Sequence, residues 1–312
     1  MKDMNYSISD LPILGVDVGG TKILTALVDR NGVVLSAQQT AMHRQSTQST
    51  LDSIRAAVAE FAGASNQNER FCAIGFGLVG RTDPAHGLWV RADNLPINTP
   101  IALAQEMEQR YHVPVFLDND VLSAATAELC FGVGRRYRDF LLINVGTGLS
   151  AGIVSGGHLL RGAGNVAGEI GRTTLGLRDW SRGMLEDWCS GGGLQSCCSD
   201  TPWHTTRELF AAAEAGEAAA QTLVSSAVEA LAEATACLVS IFNPSAVVLA
   251  GSVACHPTVR SVLERTIRER AFHSSLRDLR QIMLSELPQG QVGVIGAAQS
   301  ARLRLKNSNE TM

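Results

Sequence analysis

Apolar positions along this 312-residue chain fall into short alternating or continuous blocks separated by polar turns, and the same succession of blocks occurs twice. The first succession opens with PILGVDVGG, KILTALVDR and VVLSAQQT. The last two are separated by Asn31-Gly32, a pair suited to the positive backbone angles of a tight hairpin. Helical spacing follows over about 50–64, then the strand FCAIGFGLV, a helix over about 101–111, the strand VPVFLD and a helix over about 121–129. The second succession opens with FLLINVGTG, LSAGIVSG and HLLR. It continues with long alanine-rich helices up to Phe242, the strand AVVLAG, a helix over about 258–270, the strand QIMLSELP and a last helix over about 292–305. Each copy therefore predicts the order βββαβαβα. Three strands able to pair antiparallel, followed by α/β crossovers, give a mixed sheet with helices on both faces. Two such lobes predict a cleft between them, where small ligands commonly bind.

In both copies the turn between the first two strands is rich in glycine: Gly19-Gly20-Thr21 and Gly146-Thr147-Gly148. Glycine lets the backbone come close to a ligand and aim amide N–H groups at phosphate oxygens. Either turn alone reads more readily as an ordinary hairpin; their matching places in the repeat reverse this in favour of phosphate. The copies differ over 162–206, where periodicity is weak and glycines are many. A connection of that length is usually functional or disordered. Its low charge, with Trp180, Trp188 and Trp203, predicts order.

Composition narrows the partners. The chain is 45% hydrophobic and 18% charged, with nine Phe, four Trp and three Tyr, too few rings for a base-stacking platform. A net charge of −4 gives no electrostatic attraction to nucleic acid or to an anionic membrane, so neither is expected as a partner. Seven cysteines without a CxxC pair, and an N-terminus carrying Asp3 and Asp10, predict a cytoplasmic protein. The stretch 140–160 lacks charge and spaces Gly148, Gly152 and Gly156 like a membrane packing face. Its five glycines, with Asn144, Thr147, Ser150, Ser155 and His158, predict strands instead.

The segments DVGGTK (17–22), DND (118–120), NVGTGLSAG (144–152), GNVAGEIG (164–171) and VVLAGSV (247–253) together resemble the motif series of ROK-type sugar kinases, over about 13–301. The resemblance implies two lobes of the actin-like ATPase (ribonuclease H-like) fold and ATP-dependent phosphorylation of a hexose or hexosamine, foremost at O6. It implies ATP and Mg²⁺ between the two glycine turns, the sugar deeper, and a homodimer. The expected division is a first lobe over 1–118, to which the C-terminal helix (293–312) returns, and a second over 119–292 containing the sugar-binding loop region 162–206.

Asp17 ends the first strand, where a carboxylate can hold Mg²⁺, directly or through water, against phosphate oxygens, or simply cap the turn. Gly19, Gly20 and Thr21 would line the phosphates; Lys22 either joins them or is solvated. Gly251 matches the turn near the adenosine in the family, and reads otherwise as a plain βα-turn glycine. Asn119 and Asp120 lie at the carboxyl end of a strand, where α/β sheets place ligands. The resemblance makes Asp120 the base that takes the sugar hydroxyl's proton and Asn119 a sugar ligand; an N-cap role stays open within Asp118-Asn119-Asp120. The family's usual Asn two residues after the base is Leu122 here. Glu169, Glu186 and Asn94 match sugar-binding positions, a turn Asn being the alternative for Asn94.

Where family members carry a zinc-binding His, three residues after the Glu of GEIG, this chain has Arg172. No cysteine lies between Arg172 and Met184, so zinc is not expected; Cys189, Cys197 and Cys198 follow later. Arg172 is then a strut for carboxylates such as Asp179 and Glu186, a contact to an anionic group on the sugar, or a solvated side chain. A catalytically inactive sugar-binding regulator of the same family is the alternative function.

Overall fold

The structure, a computed structural model, describes residues 11–64, 71–176, 183–199 and 201–310; Asp179 and Trp180 lie outside them. The chain packs as two units, one made of Met1–Arg135, Arg161–Val166 and Leu287–Met312, the other of Arg136–Leu160 and Ala167–Glu286.

In the first unit β1 (Ile13–Val18), β2 (Lys22–Val28) and β3 (Val34–Ala41) form an antiparallel meander. Helix α1 (Thr47–Ala64) leads to β4 (Ile74–Leu78), which pairs parallel with β1. A short hairpin, β5 (Arg81–Asp83) and β6 (Leu88–Arg91), precedes α2 (Leu103–Tyr111), β7 (Val115–Asn119) and α3 (Asp120–Phe131). The sheet order is β3-β2-β1-β4-β7. The near-continuous apolar runs of β1 and β4 follow from burial on both faces: Val16, Val18 and Phe76 pack with α1-side residues such as Ile54 and Val58.

In the second unit β8 (Phe140–Val145), β9 (Leu149–Ser155) and β10 (His158–Leu159) repeat the meander. The charge-free stretch 140–160 is thus strand, as its glycines and polar residues predict. Short helices α4 (Leu185–Cys189) and α5 (Gly191–Cys197) follow, then α6 (Thr206–Glu214), α7 (Ala218–Phe242), β11 (Ala246–Ala250), α8 (Pro257–Arg270), α9 (His273–Asp278) and β12 (Gln281–Leu284). The sheet order β10-β9-β8-β11-β12 mirrors that of the first unit. Helix α7 is long and apolar enough to cross a membrane, but 56% of its most apolar window is buried, and Val224, Val228 and Leu231 belong to this unit's core.

The last helix, α10 (Val292–Glu310), packs against β1, β4 and α3 of the first unit. Gly15 and Gly75 make this approach possible, since a Cβ on either would run into the carbonyls of Val294 and Ala297. Gly296 likewise meets the Ser123 carbonyl of α3. This packing corrects the expected boundary at 118: α3 belongs with the first unit, which runs on to Arg135. Two further differences are insertions in the repeat. The β5–β6 hairpin stands between β4 and α2, and the region 162–206 is not one loop but holds α4, α5 and a 3₁₀ turn at Ile170–Arg172.

Candidate active site

The first glycine turn is closed by the Gly19 amide donating to the Lys22 carbonyl at 3.1 Å. It is pinned to the end of β3 by the Met42 amide donating to the Thr21 carbonyl at 3.1 Å. Thr21 and Lys22 are exposed. A Cβ on Gly20 would lie 3.8 Å from the Asn94 Cβ, so the structure brings Asn94 beside the turn. Asn94 is exposed in a tight loop held by the Ala92–Ile97 bridge, and it borders an open groove of about 370 Å³ with Arg44, Arg91 and Asn98.

Asp17 stands in one row with Gly77 and Asp118 across β1, β4 and β7. Its carboxylate rests on Gly293, in the first turn of α10, where any Cβ would collide with it. Burial pushes its pKa up to about 6, with Lys22 acting in the opposite direction. Mg²⁺ is a hard cation that keeps waters and phosphate oxygens as ligands, so a single half-buried carboxylate beside the glycine turn fits it.

The three residues of DND take three different positions. Asp118 is 1% exposed; its Oδ1 accepts from the Asn119 amide at 3.0 Å, Arg161 Nη1 at 2.8 Å and Asn165 Nδ2 at 3.2 Å. Asn119 is the N-cap of α3: Oδ1 accepts from the Val121 and Leu122 amides at 2.9 and 3.1 Å, and Nδ2 donates to the Gly80 carbonyl at 2.9 Å. The N-cap reading therefore falls to Asn119, and these described contacts leave it one Nδ2 hydrogen. Asp120 opens α3, half-buried, with Oδ1 accepting from the Val121 amide at 3.0 Å. Negative charge is favoured at that end of a helix.

In the second unit the Gly146 amide donates to the Gly148 carbonyl at 3.0 Å. The carbonyls of Gly146 and Thr147 accept from the Gly191 and Gly192 amides at 2.7 and 2.9 Å. A Cβ on Gly191 or Gly192 would lie only 2.8 or 2.9 Å from those carbonyls, which explains the SGGG run. Gly251 has φ +87 and is pressed against the Val145 carbonyl, a place closed to other residues. Glu186 on α4 lies against this turn: Oε2 accepts from the Leu149 amide at 2.8 Å, and Oε1 is 3.5 Å from Arg172 Nη2. Glu169 is half-buried, directly before the 3₁₀ turn.

The donors near Arg172 do not suit zinc. A guanidinium has no lone pair to offer. Cys189 and Cys198 donate to the Ala227 and Leu194 carbonyls, and burial pushes the Cys189 thiol up to about 12. Among the described residues no three of His, Cys, Asp and Glu gather around a metal position. Sequence reasoning missed Arg161, Asn165 and Arg304 around Asp118. Asn165, at φ +57, carries the one local signal, an Asn next to glycines in GAGN.

The sequence model of the ROK family matches residues 13–303. The chain is 29% identical over 293 residues to a bifunctional enzyme NanE/NanK of Brucella melitensis, covering 93% of this chain but only 54%, about half, of that relative. It is 27% identical over 296 residues to an N-acetylmannosamine kinase of Shigella flexneri, covering 92% and 97% of the two chains. A ROK family glucokinase from Streptomyces griseus, solved with glucose and AMPPNP, superposes with a TM-score of 0.78 at 29% identity, over 94% of this chain and 99% of that one. The two α/β units are those of the actin-like ATPase fold. With the family matched along nearly its whole length and its fold shared by a solved member, this chain belongs to the ROK family.

Proposed function

We propose that the chain transfers the γ-phosphoryl group of ATP to a hydroxyl of a hexose or hexosamine, O6 being the expected acceptor. The observation that carries this reading is the end of β7, where a half-buried carboxylate, Asp120, follows a capping amide that keeps one donor hydrogen. In this reading Asn119 donates to a sugar hydroxyl and orients it. Asp120 takes the proton of the attacking hydroxyl as the oxygen bonds to the γ-phosphorus and the bond to the β-bridging oxygen breaks. Asn94, Glu169 and Glu186 bind further sugar hydroxyls. Gly19, Gly20 and Thr21, with Gly146, Thr147 and Gly148, line the phosphates, the Gly19 and Gly146 amides being spent on closing their own turns, with Lys22 beside them and Gly251 at the adenosine. Mg²⁺, when bound, neutralises charge on the β- and γ-phosphate oxygens; Asp17 would hold it, through water or directly. Glucokinase and N-acetylmannosamine kinase relatives support a glucose-type or N-acetylated amino sugar as substrate. A cytoplasmic homodimer completes the reading.

An ADP-release assay over glucose, mannose, N-acetylglucosamine and N-acetylmannosamine tests it. Turnover is expected with at least one sugar, with the phosphate at O6 of the product. In Asp120→Asn, kcat should fall by about 10²–10⁴ while ATP affinity stays within a few-fold. Sugar binding without turnover would replace the kinase with a sugar-binding regulator. Near-normal turnover in folded Asp120→Asn would remove the base.

A further inference from the structure

Asp118 is buried beside two partly exposed arginines, and the reaction proposed above gives it no task. Arg161 Nη1, Asn165 Nδ2 and the Asn119 amide all donate to its Oδ1. Asn165 also accepts from Arg161 Nη1 at 3.1 Å and donates to Thr82 Oγ1 at 3.1 Å, so β5, β7 and the segment Arg161–Val166 meet at one carboxylate. The other oxygen, Oδ2, lies 3.7 Å from Arg304 Nη2 and has no hydrogen bond among the described residues. Arg304 in turn donates from Nη1 to the Leu117 carbonyl at 3.0 Å.

Asp118 is 1% exposed while the Arg161 side chain keeps 35% of its surface, so one partner of the pair is taken out of water and must be met by directed donors. The pair has a directional product. The Asn119 amide is fixed by Asp118, the Asn119 side chain caps α3, and Asp120 is the residue that opens that helix. Arg161–Val166 packs with the first unit although the residues on both sides of it belong to the second. Glu169 follows Val166 by three positions. Asn165 adopts a left-handed backbone, which aims its amide at Asp118.

We infer that Arg161 and Asn165 are positioning residues for the proposed transfer, acting through Asp118 to set the geometry of Asn119 and Asp120. The inference rests on the kinase reading. Small displacements of a reacting group are enough to matter: about 1 Å can cost a hundredfold in rate.

Four variants decide, in the full-length protein: Arg161→Ala, Arg161→Lys, Asp118→Asn and the double Arg161→Ala/Asp118→Asn. Arg161→Ala should lower kcat by about 10- to 100-fold with ATP Kd, by calorimetry, unchanged within twofold. Arg161→Lys, which keeps a single charged donor, should recover part of the loss. The double variant should be no worse than the poorer single one, because both act through one contact. Losses that multiply, or Arg161→Ala with normal kcat, overturn the inference. Should Arg161→Ala not fold, Asn165→Gly takes its place, since glycine accepts the positive φ, and is expected to lower kcat in the same way. If the wild type phosphorylates no sugar, the kinase reading fails, and hydrogen exchange at the Val121 and Leu122 amides then decides: about tenfold faster in the variant supports the positioning role, and unchanged exchange overturns it.

Discussion

Asp17 is held in the folded protein at a cost. Its ordinary pKa of 3.8 rises to about 6 on burial, so between those values the folded state binds more protons than the unfolded one. Stability contributed by this group therefore falls as pH rises from about 4 to about 6, and is level above that. Asp17→Asn should raise the melting temperature at neutral pH, by an equivalent of about 1–2 kcal/mol, the full shift being discounted for residual exposure. The same change should abolish Mg²⁺-dependent turnover, and wild-type activity should decline below about pH 6 as the carboxyl protonates. A less stable Asp17→Asn protein would contradict this. The strand-end places of Asp17, Asn119 and Asp120 were legible because each lies in a contiguous motif closing an apolar run. The role of Asp118 was not, because Arg161, Asn165 and Arg304 reach it from distant parts of the sequence. Alternation and periodicity carry no information about such partners.

Helices of five to seven residues are too short to show a helical period, and α4 and α5 are of that length. Their order comes from the glycine run against the Gly146 and Thr147 carbonyls and from Glu186, tied to the Leu149 amide and to Arg172. The strut reading of Arg172 thus has one of its two named carboxylates as a neighbour; the other, Asp179, lies outside the described residues. Elemental analysis is expected to find well under one zinc per chain, and a chelator to leave melting temperature and activity unchanged. Arg172→Ala should raise the sugar KM by up to about fivefold, since a partly exposed ion pair is worth roughly 1 kcal/mol at most. Stoichiometric zinc would overturn the strut. A silent Arg172→Ala would leave Glu186 to the Leu149 amide alone.

At the scale of the whole chain, the duplicated order of elements was legible because each strand and long helix carries its own hydrophobic period. The return of α10 to the first unit is what the family resemblance implies; that α3 stays with that unit was not legible, because it depends on the packing of α3 against α10. That helix supplies Val294, Ala298 and Ala301 to a core shared with Ile13, Ala26, Val28, Cys72 and Ala73 of the first unit. Burying Val294 and Ile295 fully, with three alanines, is worth on the order of 5 kcal/mol, comparable with the entire stability of a domain. The helix also provides Gly293 as the floor beneath Asp17, and Arg304 beside Asp118. A chain ending at Glu286 should therefore lose cooperative unfolding of the first unit and bind a hydrophobic dye, while near-native helix content persists in α7 and α8 of the second unit. Nucleotide binding should disappear with it, because the Asp17 row loses its backing. Adding a separate peptide of residues 287–312 should restore part of both signals if packing, not chain continuity, is what matters. A truncated protein that melts cooperatively within a few degrees of the full chain would show that β1 and β4 hold together without α10, and that the glycines at 15 and 75 serve some other approach.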